Sequence, residues 1–284
     1  MNQYIPQNPI GTRDNINIIS SNSYGGVKVD IMEYQKFLGM SDVLTAQALY
    51  FMEQQNMKVR QIVVSIQNDG VKIEPGAMSY FQGPLEMVSG VSATNFIGKA
   101  LKGAITGEKM ARPEYKGSGT LVLEPSFRHF LVLTLEPKDE IIVDKGMFYL
   151  TSTSAKVEPV LQQNISSGLL GNEGLFQIKI TGPGIVVLES DVPMQEINII
   201  NLNNDVLKVD GNFAILRTSS IDFTVERSAK TLVGSAVSGE GLVNVFRGTG
   251  QVWLAPSLKV YSAIQQAQML GVTDLKKINM NTSK

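Results

Sequence analysis

Three acidic residues recur at near-constant spacing: Glu74, Asp144 and Asp210, 70 and 66 positions apart. Their settings repeat as KIEPGAM (Lys72 to Met78), IVDKGMF (Ile142 to Phe148) and KVDGNFA (Lys208 to Ala214). Carboxylates suit hard cations, so three acids converging on one axis would form an oxygen-rich metal site. An acid beside glycine or proline also has a plainer use. Its oxygens accept from local N–H groups and cap a turn. That use needs no convergence, and it is the expected one. It covers the Gly107-Glu108, Asn172-Glu173 and Gly239-Glu240 pairs as well. His129 is the one histidine, in Phe127-Arg128-His129-Phe130, and there is no cysteine. A histidine serves as base or ligand when partners converge on it. A multi-His metal cup, thiolate catalysis, Cys-ligated zinc and a disulfide framework are excluded. No G-x-S-x-G elbow is present. The expectation is a packed or surface histidine between aromatics, with no catalytic, cofactor or metal site.

A second recurring element reads GSGTLVLEPS from Gly117, GPGIVVLESD from Gly182 and GTGQVWLAPS from Gly248. The second glycines, Gly119, Gly184 and Gly250, are 65 and 66 positions apart. A dinucleotide loop needs a third glycine and a following helix. Here apolar residues follow, so each pair is expected to start a strand, with Trp253 in the core. No phosphate-binding P-loop exists, because Ala100 follows Gly98-Lys99 and Ala93 stands where its first glycine belongs.

These landmarks fix the elements that must carry them. The acids with their glycines (Gly76, Gly146, Gly211), the acidic pairs and the G-x-G turns recur three times in the same order. One unit of about 65 residues is therefore expected in three copies, over 58–126, 127–193 and 194–257. VRQIVVSI, FLVLTL and EINIINL are strand-like. Gln67-Asn68-Asp69-Gly70, Glu136-Pro137-Lys138-Asp139 and Asn203-Asn204-Asp205 read as turns after them. Short strands at regular spacing argue for an all-β sandwich or rolled barrel. Residues 1–57 form an extension, mostly irregular to about residue 40. A helix is expected over 41–56, with Ser41 as N-cap and Leu44, Ala48, Phe51 and Met52 on one face. Residues 258–284 form a tail, with a short helix expected from Tyr261 to Leu270.

The net charge of −1 argues against a protein built to neutralise nucleic-acid phosphates. No apolar run approaches the ~20 residues of a membrane span. The N-terminal residues lack the pattern of a secretory signal, so a cytoplasmic protein is expected. Asn95 to Lys116 is the exception to neutrality. Lys99, Lys102, Lys109, Arg112 and Lys116 stand against Glu108 and Glu114, a local net charge of +3. Apolar residues such as Leu101 and Ile105 lie among them. The segment is a candidate surface for anionic lipid, RNA or an acidic partner. Its plainer use is as a connector with solvated lysines.

In IEPGAMSYFQG, LKGAITGEK, YKGSGTLVLEP, LLGNEGLFQIKITGPGIVVLES and GEGLVNVFRGTGQVWLAP, spanning roughly residues 58 to 257, the sequence resembles the altered inheritance of mitochondria protein 24 family. The resemblance implies three units like the tryptophan RNA-binding attenuation protein. Each would be a compact β-sandwich or double-stranded β-helix, and the three would be arranged with pseudo-threefold symmetry. It implies no catalytic site. The expected function is a non-catalytic β-repeat scaffold or interaction protein, self-associating or bound to an unidentified protein or membrane surface. A ligand- or RNA-binding regulator is the alternative, and a cupin-like enzyme is disfavoured for want of histidines.

Overall fold

A computed structural model of the chain describes residues 15–88, 112–161, 176–227 and 242–269. Among these residues the fold is mostly β, with sixteen strands in two sheets and one helix toward each end. The strands are β1 (Ile16–Tyr24), β2 (Val27–Tyr34), β3 (Arg60–Ile73), β4 (Met78–Gln82), β5 (Leu85–Val88), β6 (Glu114–Leu123), β7 (His129–Leu135) and β8 (Glu140–Asp144). There follow β9 (Phe148–Ser152), β10 (Lys156–Leu161), β11 (Phe176–Thr181), β12 (Gly184–Ser190), β13 (Asn198–Asp210), β14 (Ala214–Thr218), β15 (Ile221–Arg227) and β16 (Leu242–Leu254). The helices are α1 (Val43–Gln54) and α2 (Leu258–Met269).

The chain divides into two compact units. The first comprises Met1–Thr134, Tyr149–Ala155 and Gly184–Glu189, and the second Leu135–Phe148, Lys156–Pro183 and Ser190–Lys284. The first carries the sheet β1-β2-β3-β9-β12-β7, with β4, β5 and β6 attached through β3. The second carries β10-β11-β8-β14-β16-β13, with β15 on β16. Strands from the middle stretch of the sequence are thus divided between the two sheets.

Within the segment expected to be irregular before residue 40, residues 16–34 instead form a hairpin. β1 pairs with β2 around Gly25-Gly26, and β2 pairs with β3 from Val27↔Ile66 to Glu33↔Arg60. Gly25 sits at φ +57°, which a tight two-residue turn requires. Val27, Val29 and Ile31 point into the core at alternate positions. The Asn and Ser residues of β1 lie mostly outward, where a one-sided antiparallel sheet accepts polar side chains. Polar composition concealed the period of two.

Two of the three expected turns are not turns. β3 runs through Gln67–Gly70 with a register shift between Ile66 and Asp69, and Asn68 adopts φ +49°. β13 runs through Asn203–Asp205 with a shift between Leu202 and Asp205, and Asn204 adopts φ +50°. These are β-bulges, which insert residues and bend a strand without ending it. A hydroxyl lying between the two glycines of a G-x-G pair pins each one. Ser118 Oγ accepts from Asn68 N at 3.0 Å, and Thr249 Oγ1 accepts from Asn204 N at 2.9 Å. Glu136–Asp139 is a true turn, with Lys138 at φ +79°. Its Asp139 Oδ2 accepts from Glu136 N at 2.8 Å.

The G-x-G pairs also differ from strand starts. Gly117 and Gly119 lie within β6, Gly248 and Gly250 within β16, and only Gly184 opens a strand. Gly184 and Gly250 take φ +151° and +157°. A Cβ at Gly184 would collide with Ser152 Oγ, and one at Gly250 with Thr218 Oγ1. The same hydroxyls do equivalent work. Ser152 Oγ lies 3.0 Å from Ser154 Oγ and accepts from Ile185 N at 3.1 Å. Thr218 Oγ1 lies 3.2 Å from Ser220 Oγ and accepts from Gln251 N at 3.0 Å.

Each unit has its own core. Ile62, Val64, Leu121, Leu150, Ile185 and Val187 are fully buried in the first. Leu202, Ile221, Phe223, Phe246, Val252 and Leu254 form the second. Each such side chain contributes about 1.5–3 kcal/mol on burial.

Asp42, not Ser41, caps α1: its Oδ1 accepts from Thr45 N at 2.9 Å and its Oδ2 from Thr45 Oγ1 at 2.6 Å. α2 begins three residues before the expected Tyr261. Glu196 fixes this start, accepting from Ser257 Oγ at 2.5 Å and Tyr261 OH at 3.0 Å.

Candidate functional site

The register of the second sheet assembles a polar group within an apolar surface. Gln177 of β11 stands opposite Asp144 of β8, and Arg217 of β14 stands opposite Ile142. Positions 142 and 144 share a strand face, so Asp144, Gln177 and Arg217 meet on one side of the sheet. Arg217 Nη1 donates to Gln177 Oε1 at 2.8 Å, and Gln177 Nε2 donates to Asp144 Oδ1 at 3.3 Å. Arg217 Nε donates to Ile221 O at 3.3 Å, and the guanidinium carbon lies 5.4 Å from the Phe223 ring centre. The ring adds cation–π attraction.

This group lines a cleft of about 290 Å³, with Asn212, Asn244 and Phe246 among its other walls. Burial pulls the Arg217 guanidinium down to about 10, against the opposing pull of Asp144 and Asp222. It therefore stays charged at neutral pH. Burial also pushes the Asp144 carboxyl up, and Gln177 and Arg217 restrain it. The lining residues of the cleft include no hydroxyl, lysine or histidine, so it offers hydrogen bonds and ring faces rather than a nucleophile. The sequence landmarks mark Asp144 but neither Gln177 nor Arg217. The available signal was a polar residue inside an apolar strand, in FQIKIT and AILRT.

The three repeated acids have three different surroundings. Asp144 precedes a short 3₁₀ turn, Lys145–Met147, and makes no capping hydrogen bond there, contrary to the turn-cap expectation. Gln177 donates to its Oδ1 instead, and Arg217 is joined to it only through that amide. Glu74 lies 4.0 Å from Arg112 Nε, and Asp210 lies 3.4 Å from Lys259 Nζ. Among the described residues no three His, Asp or Glu side chains cluster closely enough to hold a metal ion. Gly76 and Gly211 take φ +85° and +86°, whereas Gly146 has open space around it and no such backbone. His129 is half-buried at the start of β7, and Trp253 is buried with Nε1 donating to Gln251 Oε1 at 3.3 Å.

Of the basic segment, Lys99, Lys102 and Lys109 lie outside the described residues. Arg112 is near Glu74, as above. Lys116 Nζ pairs with Glu114 Oε2 at 2.7 Å on the same strand.

A second surface feature lies in the first unit. No residue of α1 is buried. Val43, Leu44, Tyr50 and Phe51 are 82%, 78%, 58% and 58% exposed. At 3.6 residues per turn they fall within about a third of the helix circumference. Ala46, Leu49 and Met52, on the other side, are half-buried. The single apolar face expected from Leu44, Ala48, Phe51 and Met52 is therefore two faces, one inward and one outward.

Comparison with known proteins agrees with this architecture. Residues 50–257 match the family model described as mitochondrial biogenesis AIM24. An uncharacterized protein of Streptococcus pyogenes serotype M6 is 22% identical over 208 residues, covering 70% of this chain and 82% of the relative. A crystal structure of a Streptococcus pyogenes protein matches with TM-score 0.54 and 21% identity, covering 75% of this chain and 94% of that one. That likeness establishes the fold alone.

Proposed function

This chain belongs to the mitochondrial biogenesis AIM24 family, and from that premise we propose that it is a non-catalytic interaction scaffold of the cytoplasm built on three related β-units. One observation carries the interaction reading. The outward face of α1 holds Val43, Leu44, Tyr50 and Phe51 in solvent, and contiguous exposed apolar surface marks sites of association. The paired bulges at Asn68 and Asn204, and the matched hydroxyl contacts beside Gly184 and Gly250, support units of common descent. Three interlocked units like the tryptophan RNA-binding attenuation protein, with pseudo-threefold symmetry, are part of the same proposal.

The test is quantitative capture from the native cell. The wild type is compared with a variant carrying serine at positions 43, 44, 50 and 51. A defined set of companions should be retained by the wild type and lost by the variant. Equal recovery with both would remove the scaffold reading.

The cleft at Arg217 favours a second reading, a small-ligand-binding regulator. Its amide, guanidinium and carboxyl groups beside Phe223 and Phe246 suit a compact polar molecule with a flat face. A thermal-shift screen of polar metabolites tests it. A ligand that stabilises the wild type but not Arg217→Met would support it.

A further inference from the structure

We infer that the outward face of α1 is covered by the same face of a second copy of this chain, in an antiparallel helix pair centred on Gln47. The inference rests on the interaction reading above and names its partner. Three observations choose the occupant.

The first is charge. α1 contains no lysine or arginine, and its one acid, Glu53, pairs with Lys36 at 3.1 Å. Helices that lie on lipid surfaces carry basic residues on their polar side. A strongly charged partner would find nothing complementary here. A neutral, apolar twin fits.

The second is spacing. Val43 and Leu44 precede Tyr50 and Phe51 by seven positions, two turns along the same face. The face is therefore self-complementary about its middle. An antiparallel pair about Gln47 sets Val43 against Phe51 and Leu44 against Tyr50 of the other copy. Each aliphatic side chain then meets a ring, and the isologous symmetry of a twofold dimer is satisfied.

The third is area. Leu38 and Met40, just before the helix, are also exposed. Six such side chains at roughly 100 Å² each supply on the order of 600 Å² per copy. That is the lower end of the ~600–1,000 Å² per partner of a standard interface.

The experiment uses the full chain. Sedimentation equilibrium should give twice the monomer mass of 31.0 kDa. Leu44→Glu with Phe51→Glu should halve the observed mass while leaving the far-UV circular dichroism spectrum native, since neither side chain is buried within its own chain. The chain lacks cysteine, so Gln47→Cys supplies a second, conservative reading. Under mild oxidation it should yield a disulfide-linked dimer, and the control Gln195→Cys, also at an exposed position, should not. A monomeric wild type overturns the inference. So does a dimer that survives the double glutamate change, or equal cross-linking of both cysteine variants. A monomer whose companions still depend on α1 would leave the scaffold reading standing and remove only the twin.

Discussion

Arg217 Nη1 donates to Gln177 Oε1 at 2.8 Å, although 40 positions separate the two residues. The buried cation is thereby linked to Asp144 through an amide rather than by direct contact. Removing one member of a buried charged group leaves the rest without compensation and costs about 3–5 kcal/mol. Arg217→Met should therefore lower unfolding stability by that order, read from the urea midpoint at constant slope. Adding Asp144→Leu should recover part of the loss, because the second uncompensated charge goes too. A single variant within about 1 kcal/mol of wild type would show that the link contributes little.

The carboxyl of Asp144 gives a pH signature. Burial raises it above its ordinary 3.8, so the native state holds the proton more tightly than the unfolded chain. The resulting penalty is absent below pH 3.8. It grows as pH rises through the raised native value and is constant above it. Asp144→Asn abolishes that dependence. The stability of the variant minus that of wild type should rise across this window and then plateau. Glu140 and Glu226, lowered by hydrogen bonds from Ser219 and Arg247 respectively, have the opposite dependence. They cancel in the difference because both proteins carry them. A difference flat from pH 3 to 7 would mean that Asp144 is solvated.

The glycines should separate into two classes. Gly250→Ala and Gly184→Ala add strain at positive φ to a collision with a packed hydroxyl. Strain of about 1–3 kcal/mol and overpacking of similar size predict losses of several kcal/mol. Gly146→Ala meets open space and should fall within about 0.5 kcal/mol of wild type. Gly76→Ala, with φ +85° but no neighbour within 4 Å, should lie between. Thermal denaturation of the four variants gives the order. A Gly146 effect as large as that of Gly250 would contradict the distinction.

The β class and the recurrence of Gly119, Gly184 and Gly250 were legible because glycine has few substitutes where backbone passes close to backbone or hydroxyl. The β1–β2 hairpin was not, because outward Ser and Asn look the same in a loop and on a solvated sheet face. The bulges at Asn68 and Asn204 imitate turns because both use a left-handed Asn; only cross-strand register distinguishes them. Asp144 stood out by its repeat, but its partners come from β11 and β14. Nothing local to residues 144, 177 or 217 encodes their meeting. The inward face of α1 was partly seen through Met52. Its outward face was merged with it because periodicity reports apolar positions, not what covers them.

If the basic segment Asn95 to Lys116 is a lipid-binding surface, its binding is salt-dependent. Attraction to anionic lipid is worth about 1 kcal/mol per basic residue near the surface, so a net +3 gives weak binding. Vesicle flotation should need anionic lipid and fade as salt shortens the screening length. It should also drop when Lys99, Lys102 and Lys109 become Glu. Flotation indifferent to both changes would identify the segment as a solvated connector.

β3 pairs with β9 through Val71↔Ser152, so the first sheet closes only after a stretch of some eighty residues has been made. On the ribosome the N-terminal strands must wait for β9 and then β12 to emerge. Until then one side of β3 presents unpaired amides and carbonyls beside Val71 and Ile73. Pairing over such sequence separation is slow, and an open apolar edge recruits other chains. A nascent chain stalled near residue 130 should therefore be a strong client for chaperones that shield exposed strands. A chain stalled beyond β12 should lose that dependence. The division of the middle strands between two sheets thus sets the order in which synthesis can complete the molecule.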